Sequence, residues 1–505
     1  MSNIMSHTWT VGLQNLLNLC LVVGLLLVAR ADSKSLCDHA FENRLDENVL
    51  NRNILETKSS KWKATDPYLW TYQNNSDLAE YLQGIEKRCK KFVKIEKLGK
   101  SASNEDILGI HVSKYVGGDS EGLPKIKIVG NLHGDEPTGR VFTVALAEWL
   151  CDMKEKGDQK ASDVLNKVDL WLIPSANPDG FATHRRENSM GVDLNRDFPD
   201  RFEEGASSNW LTRTGNEQKE TRVLMDWILE KGPFVSSLAI HEGALVANYP
   251  WDGSEDKSST YQASPDDETF KYLASHYASA HRKMSLSSNK EFPNGGVTNG
   301  ANWYPIYGSM QDWNYIVGSC LELTLEVSQR KWPDESLLPD LFEDNREAML
   351  DFITRTSYGG FTGIVYGIHN NGRKGGKENI PISASIKVGE SFLNTTTDPK
   401  TGKFYRPLAP GKYSAEVTAD GFKPKVIEIE IPKGGDGIFE RIYLNKKQQE
   451  SSKMPEKLHF DSFTELQSGI ILIAGSGITV GMLWGIHLSL ISRQSSGSLM
   501  KILRK

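Results

Sequence analysis

The 505-residue sequence predicts an α/β domain followed by a small all-β sandwich and a C-terminal membrane helix. Three observations support this fold class. Between residues 66 and 355, strand-like and helix-like patterns alternate, as is typical of one large α/β unit. Within residues 359–445, apolar residues recur at every second position in short segments, which indicates a β-sandwich. Residues 466–492 contain no Asp, Glu, Lys or Arg and are long enough to cross a bilayer as a helix.

The centre of the α/β domain is predicted from two strands and a helix. Lys125–Gly130 is an apolar strand, and residues 142–149 form a helical segment. The loop between them carries Asn131-Leu-His-Gly-Asp-Glu136, and a second strand, residues 236–240, is followed by His241. Because ligands bind outside the carboxyl ends of strands in an open α/β sheet, we expect the loop and His241 at the same edge.

The sandwich is predicted from five strand-like segments that are separated by Gly, Pro, Asn and Asp turns. It holds no obvious catalytic cluster, so we expect the chemistry to lie in the α/β domain. The five segments are residues 362–368, 382–388, 413–417, 426–431 and 441–444.

The N-terminus is predicted to be a signal peptide, residues 1–31. An apolar run is followed by Ala29-Arg30-Ala31, which has the small-x-small form of a cleavage site. A basic start is missing because only His7 precedes the run, so an uncleaved N-terminal anchor stays an alternative. Residues 32–65 form a polar lead-in to the α/β domain.

The C-terminus predicts a single-pass type I membrane protein of the secretory pathway, with its bulk outside the cell. Residues 446–465 suit a solvated stalk, and the basic tail of residues 493–505 belongs on the cytoplasmic side of the span. That tail disfavours a lipid-anchor signal, which stays the alternative. Three glycines in the span are spaced for close helix pairing, which makes a homodimer a further hypothesis. They are Gly477, Gly481 and Gly485.

Composition excludes one class of partner. The net charge is −6, the charged residues are interspersed, and no basic stripe with interleaved aromatic residues occurs. We therefore expect no nucleic-acid partner and are left with peptides or small molecules.

In a secreted chain the cysteines can form disulfides and two asparagines can be glycosylated. After signal removal four cysteines remain in an oxidising compartment, and they allow three disulfide pairings that the sequence leaves open. These are Cys37, Cys89, Cys151 and Cys320. Asn74 and Asn394 each begin an Asn-x-Ser/Thr motif and are predicted glycosylation acceptors on the surface.

The loop and the second strand together predict a metal centre. His133, Glu136 and His241 are the His, Glu and His of an open catalytic zinc site, so we expect one Zn²⁺ in the α/β domain. Such a site keeps a fourth position for water, whose pKa it lowers to about 7. Cysteine ligands are not expected, because no Cys-x-x-Cys spacing exists.

Five ordered motifs carry a resemblance to a known family. They are Asn131-Leu-His-Gly-Asp-Glu136, Asn177-Pro-Asp-Gly180, Gly191-Val-Asp-Leu-Asn-Arg-Asp-Phe-Pro199, His241, and residues 302–315. In these motifs the chain resembles the zinc carboxypeptidases, and more narrowly the regulatory subfamily of carboxypeptidases M, N, E and D. The resemblance spans residues 65–445. It implies a mixed sheet with flanking helices, a transthyretin-like sandwich, and an exopeptidase acting on peptides or proteins with C-terminal Arg or Lys.

The resemblance also implies an acid/base residue and a capping tyrosine. Within the strand Glu322-Leu-Thr-Leu-Glu-Val327, Glu322 and Glu326 point the same way, so the pattern alone does not separate them. The family spacing matches Tyr304 to the substrate-capping tyrosine and Glu326 to the acid/base glutamate. Tyr307 is then the lesser candidate.

Further roles follow position by position from the resemblance. Asn195 and Arg196 match the pair that grips the terminal carboxylate, to which a planar guanidinium is well suited. Arg186 matches the arginine that stabilises the oxyanion, with Arg185 as a substitute because the preceding loop is short. Two residues match the positions that select the terminal side chain, namely Asp252 for its charge and Gln311 in place of an apolar pocket floor.

Two departures from the subfamily leave alternatives open. Glu242 and Ser309 both stand where glycine is usual. A carboxylate beside the metal would reduce its Lewis acidity or repel substrate if it turned inward, and would do neither if it pointed away. Glu242 is thus the argument for one alternative, a catalytically weak zinc protein that binds peptide ends as a receptor or scaffold. A second alternative, a zinc amidohydrolase, would not need Asn195, Arg196, Tyr304 or the sandwich.

Overall fold

The computed structural model describes residues 62–447 except residues 65, 119, 121, 203–213, 371–376 and 435–436. The predicted signal peptide, the membrane span with its three glycines, the cytoplasmic tail and Cys37 lie outside the described residues, as do most of the lead-in and the stalk. Within the described ranges, no helix has the length and apolarity needed for a bilayer crossing.

The described chain consists of an α/β part followed by a β part. The strands are β1 Val93–Lys100, β2 Asp106–Val112, β3 Lys125–Gly130, β4 Asp169–Ile173, β5 Ser236–His241, β6 Ala244–Tyr249, β7 Val297–Asn299, β8 Leu321–Ser328, β9 Phe361–Asn370, β10 Lys377–Pro381, β11 Ser385–Val388, β12 Thr395–Thr396, β13 Lys403–Arg406, β14 Gly411–Thr418, β15 Lys425–Ile431 and β16 Ile438–Asn445. The α-helices are α1 Asn75–Arg88, α2 Thr138–Glu155, α3 Gln159–Lys167, α4 Pro178–Ala182, α5 Lys219–Lys231, α6 Asp267–Ala280, α7 Gly300–Trp303, α8 Met310–Ile316 and α9 Leu338–Tyr358. Short 3₁₀ helices span Pro67–Trp70, Leu194–Arg196 and Glu335–Leu337.

The α/β part is built on a mixed sheet with the strand order β1-β2-β4-β3-β5-β8-β6-β7. Strands β4, β3, β5 and β8 are parallel to one another, and β2 and β6 pair antiparallel with β4 and β8, respectively. Strand β1 pairs antiparallel with β2 at the edge of the sheet. The central strands are apolar and almost entirely buried, as expected where helices cover both faces. The predicted α/β fold with a mixed sheet and flanking helices is confirmed.

Alternation along the central strands decides which side chains face the site. Leu238 and Ile240 of β5 pack into the larger core, whereas Ala239 packs into a second core on the opposite face. His241 follows the same alternation and shares the face of Ala239. It is paired in register with Glu326 of β8, which brings the two side chains to the same strand ends.

The β part forms an all-β sandwich of two sheets. Strand β9 pairs with β10, β13 and β16 in one sheet, and the other has the order β12-β11-β14-β15. Its core contains Phe361, Val365, Ile386 and Phe404. All five predicted segments overlap strands, but β10, β12 and β13 were not predicted because they are short and carry no clear alternation.

The sandwich is joined to the α/β part by a buried polar cluster. Arg406 of β13 forms an ion pair with Asp266, which also accepts hydrogen bonds from Ser391 and, at 2.6 Å, from the hydroxyl of Tyr315. Arg406 is 1% exposed, so the ion pair lies out of contact with solvent.

One disulfide joins α1 to α2. Cys89, which follows the last residue of α1, is bonded to Cys151 of α2. Cys320 is buried in the core and has no disulfide partner among the described residues, and burial raises the pKa of its thiol to about 11. The structure therefore selects Cys89–Cys151 from the pairings that the sequence left open.

Candidate active site

Three buried side chains meet at the ends of β3 and β5. His133 and Glu136 lie on the loop between β3 and α2, and His241 ends β5. The Oε2 atom of Glu136 is 3.0 Å from Nδ1 of His133 and 2.8 Å from Nδ1 of His241. The two Nδ1 atoms are 3.1 Å apart. Two imidazole nitrogens and a carboxylate oxygen that converge in this way form the donor set of an open catalytic zinc site.

The loop that carries two of these residues is held in an unusual conformation. Asn131 has a φ of 55°, a region that Asn tolerates better than most residues. Its Nδ2 atom donates to the carbonyl oxygens of His133 at 2.8 Å and Gly134 at 3.2 Å. Gly134 must be glycine here, because a Cβ atom would lie 2.1 Å from the backbone of Gly180. The turn is therefore held by backbone packing and by the hydrogen bonds of Asn131.

Asp193 orients His133. Its Oδ1 atom lies 3.0 Å from Nε2 of His133, and its Oδ2 atom accepts from Nε of Arg186 at 2.8 Å. Burial alone would raise the pKa of Asp193, but the hydrogen bond to His133 and the charge of Arg186 hold it well below 3.8. An ionised Asp193 keeps the proton of His133 on Nε2 and leaves the Nδ1 lone pair for a metal.

Two cations reach the other oxygen of Glu136. Arg186 places Nη1 3.2 Å from Oε1, and Lys331 places Nζ 2.8 Å from the same atom. Both residues line the cavity described below. Arg185 is exposed and does not line it, so of the two arginines left open by the sequence only Arg186 enters the site.

Glu326 and Glu322 lie in different environments although they share a face of β8. Within the described part of the chain, Oε2 of Glu326 is buried and has no hydrogen-bond partner. Burial and the negative charge of Glu136 raise the pKa of Glu326 to about 8. Glu322 lies deeper in the core, where it accepts from Asn314 at 2.8 Å and lies 3.4 Å from Nζ of Lys127. Glu322 also has one oxygen, Oε1, without a hydrogen-bond partner among the described residues, but of the two glutamates only Glu326 lines the cavity that contains the metal-ligand residues.

A cavity of about 160 Å³ runs from the metal-ligand residues to Asp252. Asn195 and Arg196 enter it from a short 3₁₀ helix, where Nη1 of Arg196 donates to the carbonyl oxygen of Asn195 at 2.8 Å. Tyr304 stands at the rim and is 46% exposed. Tyr307 does not line the cavity, and its hydroxyl donates to the carbonyl of Ser254 at 2.7 Å. The cavity thus brings together nine of the ten predicted catalytic, substrate-binding and metal-ligand residues.

The exception is Gln311, which lies one layer behind Asp252 and does not line the cavity. Its Nε2 atom donates to Oδ1 of Asp252 at 3.0 Å, and its Oε1 atom accepts from the backbone of Thr324 at 2.8 Å. Asn248 donates to the same Oδ1 atom at 3.1 Å. Gln311 and Asn248 therefore hold the carboxylate of Asp252 in place.

Asp252 is a buried carboxylate whose partners among the described residues are neutral. It is 2% exposed, and besides Asn248 and Gln311 it is hydrogen-bonded by the side chain of Ser309. Burial raises the pKa of Asp252 above its ordinary 3.8, although these hydrogen bonds oppose the rise. Its backbone N–H donates to both carboxylate oxygens of Asp312, each at 3.1 Å. The hydrogen-bond partners of the Asp252 carboxylate are therefore neutral, while the charge of Arg196, which lines the same cavity, acts on Asp252 without a direct ion pair among the described residues.

Comparison with known proteins identifies the family. The zinc carboxypeptidase family profile matches residues 78–348, which is more than half of the chain. Carboxypeptidase SOL1 of Arabidopsis thaliana is 41% identical over 360 residues, covering 71% of this chain and 69% of that protein.

This chain belongs to the zinc carboxypeptidase family.

Two further relatives support the predicted resemblance to the regulatory subfamily. Carboxypeptidase E of Caenorhabditis elegans is 33% identical over 397 residues, covering 70% of this chain and 81% of that protein. Human carboxypeptidase D is 33% identical over 400 residues, covering 76% of this chain, but the chain spans only 28% of that protein's length. The resemblance to this subfamily is confirmed, and the protein is a metallocarboxypeptidase. Zinc is the metal of the family, and the converging His133, Glu136 and His241 fit it.

The two departures at usual glycine positions have clear structural roles in this carboxypeptidase. The carboxylate of Glu242 accepts from the backbone N–H of Thr138 and, at 2.9 Å, from that of Trp332. Burial raises the pKa of Glu242 to about 8, while the two donors favour its ionised form. Ser309 caps α8 by accepting from the N–H of Asp312 at 3.2 Å.

Sequence reasoning assigned no role to three residues that the structure brings to the site. Asp193 lies inside a motif that was recognised, and its position two residues before Asn195 was the only available signal. Lys331 carried no such signal, because it acts through Glu136, which is distant in sequence. Asn248 stands only four residues before Asp252, but it lies outside the five recognised motifs. Both predicted glycosylation acceptors are exposed, but Asn74 also caps α1 by accepting from the N–H of Asp77 at 2.9 Å.

Proposed function

We propose that this carboxypeptidase removes C-terminal Arg or Lys from peptides and proteins. The observation that carries the proposal is the buried carboxylate of Asp252 at the closed end of the cavity, held by neutral Asn248 and Gln311. A buried carboxylate without a cation is costly, and the cost falls when a bound guanidinium or ammonium group pairs with it. An aromatic or aliphatic side chain would leave the carboxylate unpaired, which favours basic residues by exclusion as well as attraction.

We propose that Arg196 and Asn195 bind the terminal carboxylate of the substrate. A planar guanidinium can meet a carboxylate with two parallel hydrogen bonds. The proposal is supported by the position of both residues on the wall of the cavity between the metal-ligand residues and Asp252. Tyr304, at the rim, is then suited to close over the bound residue. These contacts would confine cleavage to the last peptide bond.

For catalysis we propose Glu326 as the general base and acid. Its unpartnered oxygen beside His133, Glu136 and His241 would take a proton from the attacking water and later return it to the leaving amine. Arg186 would stabilise the oxyanion of the attacked carbonyl through its guanidinium. Zinc, when held by the two histidines and Glu136, polarises the carbonyl and lowers the pKa of water.

A direct assay tests the proposal. The purified full-length protein is incubated with four otherwise identical peptides ending in Arg, Lys, Phe or a C-terminal amide, each with and without a zinc chelator. We expect release of Arg and Lys, much slower release of Phe, no release from the amide, and no activity with the chelator. Equal rates for Arg and Phe would contradict the basic preference, and cleavage of the amide would contradict the exopeptidase assignment of Arg196 and Asn195.

The receptor alternative is less well supported. It depended on an extra carboxylate at the metal, but both oxygens of Glu242 are occupied by backbone N–H groups. In the same assay a receptor would bind the Arg peptide without releasing Arg.

We also propose the topology and domain limits expected from the sequence. Residues 66–355 would form the catalytic domain and residues 359–445 the sandwich, which agrees with α9 ending at Tyr358 and β9 beginning at Phe361.

A signal peptide and a span at residues 466–492 would place both domains outside the cell. Carbonate extraction and glycosidase digestion test this: release into the soluble fraction, or no shift in mass after digestion, would contradict it. Chemical crosslinking of the parent protein and of Gly481→Ile tests the homodimer hypothesis, because isoleucine would block close approach of the two membrane helices. An unchanged yield of crosslinked dimer would contradict it.

A further inference from the structure

We infer that Glu242 is a positioning residue that ties together the three segments carrying the metal ligands and Glu326. The inference rests on the proposed roles of those residues but concerns a side chain that takes no part in the proposed chemistry. Glu242 is 1% exposed and follows His241 directly.

Residue 242 contacts the loop of His133 and Glu136 at two points. Its backbone N–H donates to Oε2 of Glu136 at 3.2 Å, the same oxygen that faces both histidines. Its side-chain Oε1 atom accepts from the backbone N–H of Thr138, the first residue of α2. The end of β5 is therefore fastened both to a metal-ligand side chain and to the backbone just beyond it.

Helix α2 depends on this outside acceptor. The residue before its first turn is Pro137, which makes no side-chain capping hydrogen bond. The first N–H groups of a helix have no partner within the helix, and a carboxylate is the preferred acceptor there because the helix dipole is positive at that end. Thr138 is fully buried, so solvent does not replace the acceptor. Glu242 acts as the missing cap from a neighbouring strand.

The second oxygen of Glu242 holds the loop after β8. It accepts at 2.9 Å from the N–H of Trp332, which has a φ of 53° that non-glycine residues seldom adopt. The ring of Trp332 stacks on those of Phe181 and His184, with centroids 5.3 and 4.0 Å away. The preceding Lys331 contacts Glu136. Because β8 carries Glu326, one carboxylate links the ends of β3, β5 and β8.

A purely structural role is the competing explanation, and the chain provides a matched control. Glu217 is 3% exposed, and its two oxygens likewise accept from backbone N–H groups, those of Thr214 and Gly215. It does not line the cavity. Removing either carboxylate should destabilise the fold, but only Glu242 is connected to the metal-ligand residues.

The test compares Glu242→Gln and Glu242→Gly with Glu217→Gln in the full-length protein. Zinc affinity is measured without substrate by competition with a chelator, and thermal unfolding is measured on the metal-free protein. We expect zinc to bind about 10- to 100-fold more weakly to both Glu242 variants, the usual effect of losing an outer-shell contact, and within twofold of the parent to Glu217→Gln. Because Gln retains a carbonyl oxygen that can accept a hydrogen bond, Glu242→Gln should lose less zinc affinity than Glu242→Gly.

Unchanged zinc affinity in both Glu242 variants would overturn the inference. If Glu242→Gln does not fold, Glu242→Gly still decides, because glycine is usual at this position in the subfamily that the chain resembles. Since no peptide is present, the outcome is independent of whether the proposed Arg or Lys preference is correct.

Discussion

At the metal end of the active-site cavity two carboxylates are paired with cations, whereas Asp252 at the other end has no ion-pair partner among the described residues. At the metal end, Asp193 contacts His133 and Arg186, and Glu136 contacts Arg186 and Lys331. Both of these acids have a pKa below the ordinary value. At the closed end, burial raises the pKa of both Asp252 and Asp312.

The difference concerns which charged groups the protein itself supplies at each end of the cavity. At the metal end, the protein's own cations and the hydrogen bond between Asp193 and His133 surround the converging ligand atoms. The hydrogen-bond donors that hold the carboxylate of Asp252 are neutral, and under the proposed function the basic side chain of the substrate would supply the missing positive charge. The paired carboxylates and Asp252 line one cavity or contact residues that line it, and its volume is about 160 Å³.

The largest expected effect comes from Glu326 at the metal end. For Glu326→Gln we expect kcat to fall by about 10²- to 10⁴-fold, the usual contribution of a general base, with KM and zinc content little changed. The measurement is steady-state kinetics on an Arg-ending peptide together with metal analysis.

Glu322→Gln is the control for this prediction, since it lies on the same face of β8. It should lower the unfolding temperature, because Lys127 is then buried without its carboxylate, while turnover is retained. Retained turnover in Glu326→Gln, or its loss only in Glu322→Gln, would reverse the assignment of the two glutamates.

The second prediction tests whether Asp193, which contacts the metal-ligand residue His133, contributes to zinc binding. Asp193→Asn should weaken zinc binding about 10- to 100-fold, because the amide cannot accept from both His133 and Arg186. Chelator competition measures the change. Asp179→Asn is the control, as Asp179 is a buried carboxylate that accepts from Ser101 outside the cavity. An equal loss of affinity in both variants would mean a general effect on the fold.

The third prediction concerns the charge of Asp252 at the closed end of the cavity. Asp252→Asn should lower kcat/KM for an Arg-ending peptide about 10- to 100-fold, the value of one charged hydrogen bond, and should not lower it for a Phe-ending peptide. Asp256→Asn, at an exposed position four residues further along, should change neither value. A preference for Arg over Phe that survives Asp252→Asn would place the selective charge elsewhere.

The smallest effect is a dependence of selectivity on pH. Because burial raises the pKa of Asp252, the carboxylate becomes neutral at a higher pH than a free aspartate with a pKa of 3.8. The ratio of kcat/KM for Arg over Phe should therefore fall as the pH drops through the pKa of Asp252, and recover above it. The ratio cancels pH effects common to both substrates. It should be independent of pH in Asp252→Asn, and a parallel slope in that variant would contradict the explanation.

Several features could be derived from the sequence because they depend on local order along the chain. Apolar alternation located the central strands, and the short loop after β3 placed His133 and Glu136 at the strand ends. The spacing of Tyr304 and Glu326 matched a known family, which supplied the expected roles. Local order carried this information because side-chain direction in a strand depends only on position along it.

Other features were decided only by the tertiary structure. Alternation alone did not separate Glu322 from Glu326, which only the family spacing distinguished, and the sequence left open Arg185 as a substitute for Arg186 and the direction of Glu242. Each depends on which distant backbone or side-chain group lies opposite in the folded protein. Glu322 meets Lys127 across the sheet, whereas the carboxylate of Glu242 meets N–H groups 104 and 90 residues away. The sequence thus determined which chemical groups are present and at which strand ends they lie. Burial and long-range contacts decided which of them remain free to act.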